Sequence, residues 1–376
     1  RFHPMRISQA VVWLLTCYEA FADSLNTTNE LIDRLFKDYN AQASPYVRRE
    51  GTQGSSHAVS LRLNRAIIAS VNERDWTVSI LVSLNYKWID PRLAWDPATA
   101  DGVSGISMKS EAVWLPDVYP WESQKISPVF KDLTKSVIIA HDGSVYSTAY
   151  QVVNYICQMK FDAFPFDTQD VSMGFTLDGL IGTSLTLVDL SPQQPEIISN
   201  SEWDVEGEIT REEYRTEQDG VQSHRIVFHF TLVRRAFFWI FLIIIPTLLF
   251  CLVTLVGIFF YEGDDAVQNA ASIGLTTMTS LMLVVTILSD ALDKSDNLPG
   301  LGWFVFVEIS VVCLSVIALL IFYMIRSGAL KYSRNKQDRC KIVSFLTSKR
   351  VFRAAKFTLF LLAIVALVLN TILCWN

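Results

Sequence analysis

The apolar and polar positions divide the chain into two unlike halves near residue 234. From Ala236 onward come four apolar runs, roughly 236–260, 267–289, 302–325 and 351–373. Each is long enough, at 1.5 Å per helical residue, to cross about 30 Å of hydrocarbon. The second run is the least apolar and carries a seam. Ser272, Thr276, Thr279, Leu283, Thr286 and Asp290 follow at steps of four, three, four, three and four, so they share one helical face, with Ile287 beside them. Leu275, Met278, Met282 and Val285 fill another face. A hydroxyl stripe ending in a carboxylate, among three uniformly apolar helices, points to a water-filled path. The helix alone leaves open that small and hydroxylated residues only pack helices together.

Before residue 234 the period changes. Leu31, Ile32, Leu35 and Phe36 recur at helical spacing within 24–39, behind an Asn/Thr capping region. After that come short alternating runs such as Trp76-x-Val78-x-Ile80-x-Val82-x-Leu84, Leu185-x-Leu187 and Ile226-x-Phe228-x-Phe230, separated by Gly, Pro, Asn and Asp. Many short strands at this spacing predict an all-β sandwich or barrel whose loops carry function. The predicted whole is an extracellular β-sandwich with an N-terminal helix, followed by a four-helix transmembrane domain.

Topology adds orientation. Met5-Arg6, the apolar stretch Ala10–Cys17 and Ala20-Phe21-Ala22 read as a secretory signal at 5–22. Residues 23–233 are then extracellular and 234–376 form the membrane domain, with a cytoplasmic linker at 326–350 and an extracellular C-terminus. The linker holds eight Lys/Arg against the single acid Asp338, as the positive-inside rule asks. Asn26-Thr27-Thr28 is a glycosylation sequon. Of the six cysteines only Cys157 lies in the exported domain, so it has no internal disulfide to form and must rely on packing.

Four motifs together carry a resemblance. Trp88-Ile89-Asp90-Pro91-Arg92-Leu93-Ala94-Trp95, Trp114-Leu115-Pro116-Asp117, Phe164-Pro165-Phe166-Asp167-Thr168-Gln169 and Ile244-Ile245-Pro246 occur in that order before four spans. They resemble the signatures of pentameric ligand-gated ion channels, the Cys-loop receptors, and are closer to the nicotinic branch. One departure is plain. The family pairs a cysteine at the place of Cys157 with one at the place of Val171, so the namesake disulfide is missing.

The resemblance implies a ring of five subunits, identical or mixed, in the plasma membrane, with a small-molecule agonist bound between extracellular domains. Its aromatic box maps to Trp121, Phe175 and Tyr214 on one side and to Ser83 and Tyr86 on the complementary side. Aromatic faces attract ammonium groups, and Glu212, Glu213, Glu217 and Asp219 lie near the third loop, although such a run also suits a solvated loop. Coupling to the membrane maps to Glu73, Phe166, Asp167, Arg234 and Pro299. Ser272, Thr276 and Thr279 would form hydroxyl rings, and Leu283 is the candidate dewetting gate. Selectivity rests on Asp264, Asp265, Asn269 and Asp290. Carboxylates at both mouths favour cations, whereas Asp264 and Asp265 would also suit a helix N-terminus as simple caps. An anion-selective relative and a non-conducting accessory subunit stay as alternatives.

Other classes fit poorly. No Gly-rich phosphate loop, metal-spaced His/Cys set or nucleophile elbow occurs, so no enzyme activity, cofactor or metal is expected. A net charge of −6, with the basic cluster beside a membrane, argues against nucleic acid. The implied partners are sister subunits, an agonist and membrane lipids.

Overall fold

The computed structural model describes residues 18, 26–46, 57–129, 136–178, 185–192, 194–218, 221–261, 266–291, 298–335 and 348–375. The signal reading lies almost wholly outside the described residues, as do Asp264 and Asp265.

Residues 26–36 are helical, with Leu31 buried and Asn26 exposed on the first turn. The strands that follow are β1 (His57–Asn72), β2 (Thr77–Ile89), β3 (Gly105–Lys109), β4 (Val118–Trp121), β5 (Ser123–Pro128) and β6 (Ser136–Ala140). Then come β7 (Ser144–Ile156), β8 (Thr168–Asp178), β9 (Leu185–Asp189), β10 (Glu196–Ile198), β11 (Trp203–Gln218) and β12 (Val221–Arg234). One sheet runs β10-β1-β2-β7-β6-β3, with β9 pairing β1 and β5 pairing β7; the other runs β11-β12-β8-β4. The inward positions of β2, namely Val78, Ile80, Val82 and Leu84, meet Phe175, Ile226 and Phe228 of the second sheet in one core. Strand pleating places every second residue on that face, which is why the alternation was readable.

The Trp88–Trp95 motif has a structural basis. Asp90 is fully buried and accepts from the Tyr39 hydroxyl at 2.8 Å. It also takes a fork from Arg92, Nε at 2.9 Å and Nη2 at 2.8 Å. Arg92 Nη1 reaches on to the Ala43 carbonyl at 2.9 Å, so this pair ties the N-terminal segment to the sandwich. A bidentate pair of this kind has all its polar atoms satisfied, which a buried charge requires.

At the place of the missing disulfide, the Cys157 thiol donates to the Asp170 carbonyl at 3.1 Å and Val171 packs into the core. Burial pushes the Cys157 thiol up to about 11. Since the thiolate is the reactive form, maleimide should label Cys157 at pH 7.5 far more slowly in the folded protein than in urea. Equal rates would mean that the loop opens readily.

Four helices follow that are long and apolar enough to cross a membrane: Phe237–Phe260, Val267–Asp290, Gly300–Gly328 and Lys349–Leu373. The first contains a π-helical turn at Ile240–Ile244 just ahead of Pro246, whose missing N–H leaves a carbonyl without its usual helical partner. The third helix runs on past its apolar span to Asn335, so the start of the basic linker is helical. The second packs against its neighbours through Ala270, Gly274, Thr277, Leu281 and Leu288. Gly274 faces Val316 so closely that any Cβ would collide, and Thr277 shares a 2.6 Å hydrogen bond with Thr254. Small residues thus bring the helices together, as apolar solvent demands. In the third helix Glu308 is fully buried and neither carboxyl oxygen has a hydrogen-bond partner. Because the buried carboxyl is unsatisfied, Glu308→Leu should stabilise the detergent-solubilised protein, by about 1–3 kcal/mol. A lower unfolding midpoint would show that Glu308 has a partner in the assembled protein.

Candidate functional site

Three features bear on function: a charged node above the membrane, the outer faces of the sandwich, and the polar seam of the second helix.

Strand β12 runs straight into the first membrane helix, and its last residue, Arg234, is the centre of the node. Its Nε donates to Asp167 Oδ1 at 2.7 Å and Nη2 to Asp167 Oδ2 at 3.2 Å, while Nη1 reaches Glu73 Oε1 at 2.8 Å. The Arg234 and Asp167 side chains are only 3% and 2% exposed. Gln169 Nε2 gives Asp167 a further bond at 2.6 Å, and the guanidinium lies 4.1 Å from the Trp203 ring centroid and 4.7 Å from that of Phe164. Glu73, Asp167 and Arg234 are therefore brought together, from the β1–β2 turn, the Phe164–Gln169 loop and the end of β12. Phe166 stands partly exposed beside them. The same loop touches the third helix: the Leu301 N–H donates to the Phe164 carbonyl at 2.9 Å, next to Pro299. A Cβ on Gly300 would sit 2.9 Å from the Asp162 carbonyl oxygen, so only glycine lets the loop settle there.

The box residues do not all meet. Trp121 pairs with Gly174, and Tyr214 with Arg225, on the outer face of the four-stranded sheet, where Tyr214 is 43% exposed. The Tyr214 hydroxyl donates to Glu212, and that bond holds the phenol above its ordinary range. Phe175 points the other way. It is fully buried against Phe228, centroids 6.3 Å apart, and offers no ring face to a ligand. The expectation for its ring is corrected by parity: Phe175 follows Gly174 by one residue, so it faces the core. On β2, Ser83 and Tyr86 are three residues apart and face opposite sides. Tyr86 packs on the core, with its hydroxyl raised by burial, so its place in a complementary box is also corrected. The exposed aromatic beside Ser83 is its cross-strand partner Tyr150, which the sequence reading missed. The alternation Tyr146-x-Thr148-x-Tyr150 was the available signal.

On the second membrane helix, Ser272, Thr276, Thr279, Leu283, Thr286, Ile287 and Asp290 are all exposed, Leu283 by 67%. Asn269 is partly buried near the start of that helix. The Thr276 and Thr286 hydroxyls donate to carbonyls one turn back, at 2.9 and 3.1 Å, leaving their oxygen lone pairs outward.

Comparison with known proteins decides the family. The model of the neurotransmitter-gated ion-channel ligand-binding domain matches residues 28–236, more than half of the chain. The chain belongs to the pentameric ligand-gated ion channels. This is a family of receptors, not of enzymes. Within it, the chain is 28% identical over 276 residues to an acetylcholine receptor subunit beta of Rattus norvegicus, covering 69% of this chain and 53% of that one. It is 26% identical over 310 residues to a neuronal acetylcholine receptor subunit beta-3 of Gallus gallus, covering 81% and 66%. A neuronal alpha-10 subunit of Homo sapiens is 24% identical over 330 residues, covering 86% and 70%. The chain thus spans between 53% and 70% of the length of these receptor subunits.

Proposed function

We propose that the chain is one subunit of a ligand-gated, cation-selective channel in the plasma membrane, assembled from five copies or with related subunits. An agonist bound between extracellular domains would open a pore lined by the second membrane helix. The observation that carries the reading is the division of that helix. Its stripe of Ala270, Gly274, Thr277, Leu281 and Leu288 is buried against the other spans, whereas its hydroxyl seam lies on the side the chain leaves uncovered, flanked there by the exposed Leu275 and Met282. In hydrocarbon such a seam is costly, and a ring of copies turned inward would wet it.

Two further features support the reading. Trp121 with Tyr214 and Ser83 with Tyr150 stand on the outer faces of different sheets, so one chain cannot close a site from both. Adjacent copies could. The node of Glu73, Asp167 and Arg234 sits where sandwich and membrane helices meet, and its three elements would carry agonist-driven movement to Pro299 and the first span. Asp290, exposed at one end of the seam, would draw cations.

Thiol modification tests the pore assignment. In a conducting Leu283→Ser background, a charged thiol reagent should block current through Thr279→Cys within seconds and leave Thr277→Cys untouched. Thr277 is turned to Thr254 and nearly buried. Equal sensitivity at both positions would contradict the assignment.

A further inference from the structure

The outer face of the four-stranded sheet holds a cation, Arg225, that no carboxylate among the described side chains neutralises. Arg225, half-buried on β12, lays its guanidinium carbon 3.1 Å from the centroid of the Trp121 ring. Gly174 makes room for this stack, because a Cβ there would come within 3.0 Å of the Trp121 Cβ. Thr176 and Tyr214 are the cross-strand neighbours of Arg225, and Tyr119 pairs with Thr176 from the far side. Three aromatic residues, Tyr119, Trp121 and Tyr214, therefore share the face with the guanidinium.

Arg92, Arg211 and Arg234 each have a carboxylate partner. Among the described side chains, which do not include those of Asp178 and Glu217, Arg225 has no carboxylate within ion-pair distance and its nitrogens donate to no acceptor. Its Nε is closed off from solvent without one. Glu212, next to Tyr214 on the same face, is engaged by the tyrosine hydroxyl and lies 3.7 Å from His229 Nε2.

Chemistry follows from this arrangement. The ring face of Trp121 that would attract an ammonium is already taken by the chain's own cation. A stacked guanidinium keeps its N–H donors in its plane, pointing sideways, in the fork geometry that fits a carboxylate. We infer that this face binds a small carboxylate, held by the in-plane N–H groups of Arg225 beside Trp121, and that it rejects quaternary ammonium ions. The inference deepens the reading of the sandwich as a receptor domain and rests on it. A carboxylate side chain from an adjacent subunit would satisfy the same donors, and the test separates the two sources.

The test is thermal unfolding of the detergent-solubilised full chain with propionate, glutamate or tetramethylammonium as chloride-matched salts. Propionate and glutamate should raise the wild-type midpoint with saturation. Arg225→Gln should weaken that effect at least ten-fold in concentration and make tetramethylammonium stabilising. Should Arg225→Gln fail to fold, Arg225→Lys keeps the charge without the fork and should still weaken carboxylate binding. Tetramethylammonium stabilising the wild type, or carboxylates acting equally on wild type and variant, would overturn the inference. So would no carboxylate effect on the wild type, the result expected if a neighbouring subunit already fills the fork. The channel reading fails separately, by absence of current from Leu283→Ser.

Discussion

Arg234→Gln should lower the unfolding midpoint of the solubilised protein more than any other single change in the extracellular half. The substitution leaves Asp167 with its charge, 2% exposed, and without the two bonds at 2.7 and 3.2 Å that compensate it. Removing one partner of a buried pair costs about 3–5 kcal/mol, because the remaining charge stays desolvated. In a domain of this size that is a fall of roughly 6–20 °C. Glu73→Gln should cost much less, since Glu73 is 19% exposed and water can replace part of the interaction. Restoring neutrality with Asp167→Asn in the Arg234→Gln background should recover part of the loss, whereas Asp167→Asn alone would not be benign. A midpoint unchanged by Arg234→Gln would show that Trp203 and Phe164, which flank the guanidinium at 4.1 and 4.7 Å, hold the joint by packing alone.

Leu283→Ser should give the largest change in current. Leu283 is the only leucine of the hydroxyl seam and is 67% exposed on the uncovered face. A ring of five leucines would close a narrow, dry constriction, and a hydroxyl ring would let water and ions stay in it. Ligand-free current from surface-expressed protein should rise at least about ten-fold, which corresponds to about 1.4 kcal/mol of gate free energy. Leu281→Ser is the contrasting case. Leu281 is fully buried on the packed side, so a serine there should reduce surface protein instead of opening the pore. Equal currents from both variants would place the gate elsewhere.

Particular residues show what the sequence could and could not tell. The spans were legible because hydrocarbon forces long apolar runs. The β2 strand was legible because one face is buried and the other wet, so its residues alternate. In β8 the run 171–177 is buried on both sides except at Ser172, since Trp121 and its neighbours cover the outer face. A strand covered on both sides loses its alternation, and nothing local said which way Phe175 points. The error at Tyr86 was avoidable, because an odd separation from Ser83 in one strand means opposite faces. The stack of Arg225 on Trp121 joins β12 to β4 across β8, and no periodicity in either strand announces it. Asp167 was expected only as part of the contact zone. Its bidentate grip on Arg234 depends on the Phe164–Gln169 loop folding back under β12, a long-range arrangement that a motif marks without explaining.

The most direct test of the central claim is the reversal potential of Leu283→Ser expressed alone, with external sodium replaced by a large impermeant cation. A cation-selective pore should give a negative shift approaching about 59 mV for each ten-fold fall in sodium, with no response to chloride replacement. A reversal potential that ignores sodium and follows chloride would contradict the cation selectivity assigned to the seam and Asp290.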